Sequence, residues 1–368
     1  MLHWNSEAIT DWLQLYFAPV KLRKLIFEQW RQGKPANLAE PLAHLPKFWR
    51  QQLPMVEHIA RQRAERWLNA DSDSERTIIT RFCEDYPEQL RAVANAPLLL
   101  FCSGKTSLLK STQIAFVGSR NAPELALQAI YDLVPALVSE GYTITSGLAA
   151  GVDNCAHRTV LSVHGNTIAV LGCGIDQCYP SRARALWQEI QVQGLVVSEY
   201  LPGMPAKTEH FPLRNRIISG LSKGVCVIAA AMRSGSLITA RLALEQNRDV
   251  FAIPYNMYES VGRGCNHLIQ QGAKLVTCAA DILEEWDTLE FNKNATISEV
   301  EGSPQQEILF AGLAKPEMLA NVGFETTPLE RVLERSGKTV AQTMNALVSL
   351  EIDGWIKAVP GGYVRVRR

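Results

Sequence analysis

Ile114-Ala115-Phe116-Val117-Gly118-Ser119-Arg120 is a strand-length apolar run that ends in a glycine, a hydroxyl and a guanidinium. Apolar residues at consecutive rather than alternate positions are what a strand covered on both faces requires. Working outward, runs of the same kind recur at Leu98 to Cys102, Tyr142 to Thr145, Thr167 to Leu171, Leu195 to Ser198, Val225 to Ala230, Val250 to Ile253 and Lys274 to Val276. Helical stretches fill the gaps, among them Pro123 to Glu140 and Leu237 to Gln246. Strands alternating with helices predict an α/β fold with a Rossmann-like, doubly wound parallel sheet. In such sheets ligands sit in the crevice at the carboxyl ends of the strands.

This core is expected over 77–287, with a smaller region on either side. Residues 1–70 hold five of the eight Trp and read as short amphipathic helices, for instance Val56 to Leu68, punctuated by Pro35, Pro41, Pro46 and Pro54. They predict a small helical (SAM-like) domain whose aromatics serve either as core or as stacking platforms. Residues 281–301, with seven acidic residues against one Lys, read as a linker. Over 303–368, helices at Glu307 to Leu313, Leu329 to Arg335 and Val340 to Leu350 precede two strands around Pro360-Gly361-Gly362, the pattern of a winged-helix-like domain.

The 368 residues carry no net charge, but the distribution is uneven. Basic against acidic residues number 10 and 6 over 1–70, 20 and 27 over 71–327, and 7 and 4 over 328–368. The central region is therefore net acidic, and any polyanion site in it must come from a few focused cations. No run reaches the roughly 18 apolar residues of a spanning helix, and the first residues lack a leader pattern, which predicts a cytoplasmic chain without a membrane partner. The eight cysteines include no Cys-x-x-Cys pair, so no metal site is expected; Cys173 and Cys178 read as a redox pair or as buried thiols.

The strand ends carry the candidate chemistry. Gly118 permits a tight turn, Ser119 a hydrogen bond, and Arg120 a fixed positive fork. Positions 118, 120 and 123 hold Gly, Arg and Pro, so the Gly-x-Gly-x-x-Gly fingerprint is absent and no dinucleotide cofactor is expected. Ser146-Gly147 open a glycine-rich turn that leads to Asp153 and His157, read either as an acid and base or as a helix cap with a histidine bonded one turn later. Lys207, Phe211, Arg214 and Asn215 gather phosphate forks, a base-edge amide and a stacking face, with Arg216 beside them. Either arginine could instead pair with an internal carboxylate such as Glu199. Gly235 and Ser236 begin a helix after a strand, where free amides and hydroxyls suit a phosphate.

The ordered blocks Val-Gly-Ser-Arg, Ser-Gly-Leu-Ala-x-Gly-x-Asp-x-x-Ala-His, Ala-Val-Leu-Gly-x-Gly, Phe-Pro-x-Arg-Asn-Arg-Ile-Ile-Ser-Gly-Leu and Ser-Gly-Ser-Leu-Ile-Thr-Ala resemble the DNA-processing protein A (DprA/Smf) family over roughly 77–285. The resemblance implies a non-enzymatic protein of natural transformation that binds single-stranded DNA, forms a homodimer and loads a RecA-type recombinase. It implies DNA contacts at Gly118, Ser119, Arg120, Lys207, Phe211, Arg214 and Asn215. One departure is Ile253-Pro254-Tyr255, where the family commonly has Pro-Gly, so that loop is expected to differ in shape. Two rivals stand beside this reading. A nucleotide-cleaving phosphoribohydrolase-like enzyme would need a glycine pair and a Glu near residues 232–239, which are absent. A winged-helix regulator of duplex DNA would need base-reading side chains on Val340 to Leu350, which offers Gln342, Thr343 and Asn345 but no Arg or Lys.

Overall fold

The computed structural model describes residues 12, 13, 15–18, 47–81, 83–286, 321–323, 326–352, 355–359 and 361–365. They fall into two compact units, 1–293 and 294–368. The strands of the first unit are β1 (Arg76–Thr80), β2 (Leu99–Gly104), β3 (Gln113–Gly118), β4 (Thr143–Ser146), β5 (Thr167–Leu171), β6 (Leu195–Ser198), β7 (Gly224–Ala229), β8 (Asp249–Ala252) and β9 (Lys274–Leu275). Its helices are α1 (Lys47–Asn69), α2 (Glu88–Arg91), α3 (Glu124–Ser139), α4 (Val152–Ser162), α5 (Arg184–Gln193), α6 (His210–Leu221), α7 (Gly235–Glu245) and α8 (Arg263–Gln270).

All nine strands form one sheet in the order β1-β2-β6-β5-β4-β3-β7-β8-β9. From β6 to β9 every pairing is parallel, giving the doubly wound Rossmann-like core. The chain runs outward from β3 through β4 and β5 to β6, then returns to the other flank of β3 as β7. That reversal makes β3 and β7 the topological switch point, where the carboxyl ends of the strands border an open crevice.

β3 shows why its run is apolar throughout. Ala115 and Val117 join the cluster under α6 and α7, while Ile114 and Phe116 join the one under α3 and α4. Side chains alternate faces along a strand, so a sheet covered twice needs both registers apolar.

Three features depart from the sequence reading. β1 was not expected: Ile79 is its one buried residue, and polar Arg76, Thr77 and Thr80 hide the edge-strand pattern. β2 runs antiparallel to both neighbours, β1 and β6, and the segment 105–112 that joins it to β3 is shorter than the dozen or so residues that a parallel crossover needs. Pro54 lies inside α1 instead of ending a helix.

The described N-terminal residues share a core with the sheet. Leu13, Leu15 and Ala18, with Ala60, Ala64 and Trp67 of α1, join the cluster of Phe101 and Leu186. Trp67 packs edge-on against Phe101, with ring centroids 5.9 Å apart. The Tyr255 hydroxyl donates to the Ile228 carbonyl at 2.7 Å and its ring covers Gly262, which fills the 253–255 loop.

In the second unit, α9 (Leu329–Ser336) and α10 (Val340–Ile352) precede the antiparallel hairpin of β10 (Ile356–Val359) and β11 (Gly362–Arg365). Val322, Val332, Leu347, Leu350 and Ile356 form its core. Thr327 pairs with Tyr363 beside the hairpin, as the base of a wing does. The helix expected at Glu307 to Leu313 and residues 287–301 of the expected linker lie outside the described residues, whereas 281–286 are not linker but helix, burying Ile282 and Trp286 in the core of the first unit.

Candidate nucleic-acid interface

A cleft of about 490 Å³ opens at the switch point. On one side, the residues after β3 are held in place by backbone bonds: Ser119 N donates to Ala229 O at 2.8 Å, and Val152 N donates to Ser119 O at 3.2 Å. Gly151, at φ +76°, lets this loop lie against the start of α4, since a Cβ there would sit 2.2 Å from the Ser119 carbonyl oxygen. Arg120 is thereby turned outward and exposed. Its guanidinium carbon lies 5.7 Å from the centroid of the Phe211 ring, within cation–π range. Phe211 in turn meets Tyr179, with ring centroids 5.3 Å apart and planes inclined at 39°.

Arg214, one turn further along α6, is 5% exposed. Its Nη1 donates to Gly147 O at 2.9 Å and to Val170 O, and its Nε donates to Asn215 Oδ1 at 3.2 Å. The guanidinium therefore ties the carboxyl ends of β4 and β5 to α6. It rests on Gly147, where a Cβ would come within 2.5 Å of Nη2. Asp153 completes this layer, accepting from Gly147 N at 3.1 Å and Ala149 N at 3.3 Å. Burial raises its pKa to about 6, against the pull of Arg214 and the backbone donors. The internal carboxylate Glu199 is taken by Arg216 instead, at 2.5 Å.

Of the residues singled out in the sequence, Gly118, Ser119, Arg120, Phe211, Arg214 and Asn215 line the cleft, and Gly235 and Ser236 line it from the start of α7. Gly235 faces open space, and Ser234 caps the helix by accepting from Ser236 N at 3.3 Å. Ser146 and Gly147 are placed elsewhere. The Ser146 hydroxyl is buried and donates to Phe116 O at 2.6 Å, and Gly147 lies beneath Arg214. Lys207 is exposed on the approach to α6, outside the cleft lining.

Residues 77–287 match the family model described as DNA recombination-mediator protein A, and 314–362 match the DprA winged helix domain. The chain belongs to the DprA/Smf family. It is 46% identical over 287 residues to Protein Smf of Escherichia coli K12, covering 77% of this chain and 76% of that one. It is 46% identical over 202 residues to DNA processing protein DprA of Streptococcus pneumoniae R6, covering 55% of this chain and 71% of that one. Among solved structures, DprA from Streptococcus pneumoniae superposes with a TM-score of 0.68 at 34% identity, over 77% of this chain and 98% of that one. DNA processing protein A from Helicobacter pylori, a structure concerned with its single-stranded DNA binding mode, superposes at 0.52 and 30% identity, over 58% and 96%.

Two residues of this DprA/Smf protein's cleft region escaped the sequence reading. Arg233 lines the same cleft as Arg120, and no carboxylate lies within ion-pair distance of either among the described residues. Its signal was its position between a strand end and a helix start, where only the hydroxyls and glycine had been weighed. Tyr179, in the segment after β5, is the other. Among the described residues no group of three His, Cys, Asp or Glu is placed to hold a metal, and no helix is long and apolar enough to cross a membrane. Cys173 is buried, and Cys178 partly so.

His157 does not bond within its own helix. Thr167 donates its hydroxyl to Ile144 O at 2.8 Å, so Nδ1 of His157, 2.7 Å away, carries the proton and donates to Thr167 Oγ1. Burial, aided by the positive Arg214, depresses its pKa to about 3. The unfolded chain takes up this proton near pH 6.5, so His157 removes stability as pH falls from there towards 3, by about 1.4 kcal/mol per unit. Asp153, with its raised pKa, has the opposite slope over about pH 4 to 6 and masks this effect in the parent. The stability difference between parent and His157→Asn, measured by urea unfolding at each pH, isolates it and should shrink as pH falls.

Proposed function

We propose that this protein binds single-stranded DNA in the switch-point cleft, with little sequence preference, and passes it as a homodimer to a RecA-type recombinase during DNA uptake. The observation that carries the reading is the exposed guanidinium of Arg120 seated over Phe211, in a cleft that Arg233 and the α7 N-terminus also line. An arginine fork takes a phosphate, and an aromatic face takes a base of any identity. The Helicobacter pylori relative, with its single-stranded DNA binding mode, supports the same ligand. Asp153, the carboxylate at the cleft, accepts two backbone N–H groups and faces Arg214, which favours a structural role over an acid–base one.

The central region is net acidic, so affinity rests on these few cations. Replacing Arg120 or Arg233 by Ala should each flatten the plot of log affinity against log salt by about 0.7, the single-strand value per phosphate. Arg241→Ala is the control, because Arg241 lies a turn into α7 and pairs with Glu245 at 2.8 Å. Unchanged slopes in both cleft variants would place the DNA elsewhere.

A further inference from the structure

The row of planar groups does not stop at the cleft. Tyr179 is 48% exposed and belongs to the segment that follows β5, two strands from β3 on the same carboxyl edge. Neighbouring strands lie about 4.8 Å apart, so the ends of β3 and β5 are separated by about 10 Å. Arg120, Phe211 and Tyr179 bridge that interval at successive spacings of 5.7 and 5.3 Å. The phenol ring leans on Phe211 and leaves much of its surface to solvent.

The chain just beyond Tyr179 is basic. Arg182, in the turn Ser181–Ala183, and Arg184, at the start of α5, are both exposed. No carboxylate lies within ion-pair distance of either among the described residues. Asp176, which precedes Tyr179, has one carboxylate oxygen occupied by Gly203 N at 2.7 Å, and Glu189, which follows Arg184, accepts from Gln193 Nε2 at 3.5 Å. An exposed ring flanked by unpaired guanidinium groups is the arrangement that holds a strand by stacking and phosphate contact without reading its sequence.

We infer that the single-strand track continues from the cleft onto the β5–α5 loop, where Tyr179 stacks a further base and Arg182 and Arg184 hold the phosphates beside it. The inference rests on the cleft being the single-strand site. This second subsite lengthens the footprint along the sheet edge, so strands too short to reach it are bound by the cleft alone.

The test measures affinity of the full chain for oligothymidylates of about 4 and about 16 nucleotides. Tyr179→Ala should weaken the longer strand by about 5- to 150-fold and leave the shorter one unchanged. Tyr179→Phe, which keeps the ring, should retain the parent affinity for both. Replacing Arg182 and Arg184 together should flatten the salt slope for the longer strand by about 1.4 and not for the shorter. Unchanged binding of the longer strand by Tyr179→Ala would overturn the subsite. An equal loss for both lengths would also overturn it, since Tyr179 would then act by supporting Phe211. Failure of the cleft reading looks different: Arg120→Ala and Phe211→Ala would leave the short strand's affinity at the parent value.

Discussion

Arg214→Ala should lose about 2 to 5 kcal/mol of stability, because each buried polar group left without its partner costs about 1 to 3 kcal/mol. The loss has two sources. The carbonyl oxygens of Gly147 and Val170 lose their donor, and the buried Asp153 carboxylate loses the positive charge beside it. Arg214→Lys should recover only part of this, because an ammonium cannot reproduce the planar fork that reaches two carbonyls on neighbouring strands. Thermal unfolding reads the loss, and the salt dependence of DNA binding reads the alternative. A variant that melts like the parent but binds with a flatter salt slope would show that Arg214 meets phosphate directly.

Phe211→Ala should weaken single-strand binding by about 5- to 150-fold, the range of about 1 to 3 kcal/mol found for base–aromatic stacking. The salt slope should hardly change, because no phosphate contact is removed. This separates the ring from Arg120, whose loss should flatten the slope. Gly172 leaves room for the ring, since a Cβ there would lie 2.8 Å from Phe211 Cδ1, and the aromatic face is thereby held towards the cleft. Phe211→Ala that binds single strands as tightly as the parent would reduce the Arg120–Phe211–Tyr179 row to packing.

The parallel core was legible because burial on both faces writes itself as consecutive apolar residues, and β5 and β6 were bounded to the residue. Strand direction is not written that way. β2 is as fully buried as β6 yet antiparallel to it, and only the short connection to β3 betrays it. At the site, Gly118-Ser119-Arg120 and Phe211 were legible because the strand-end rule places such residues at a crevice. The work of Arg214 was not, since it depends on carbonyls of Gly147 and Val170 that are distant in sequence and meet only in the sheet. Ser146 shows the converse: a hydroxyl in a suitable motif is turned inward by a neighbouring strand's carbonyl. Tyr179 gains meaning only from the ring it meets across the fold.

Preference for single strands over duplex distinguishes a stacking cleft from a general cationic surface, and competition measures it. Protein bound to a labelled single strand is challenged with excess unlabelled single strand or excess duplex of the same sequence, at one fixed salt concentration. A cleft that combines a stacking ring with a few guanidinium groups needs unpaired bases, so the single strand should displace the label and the duplex should leave most of it bound. Equal displacement by both would mean that the cleft does not select unpaired bases.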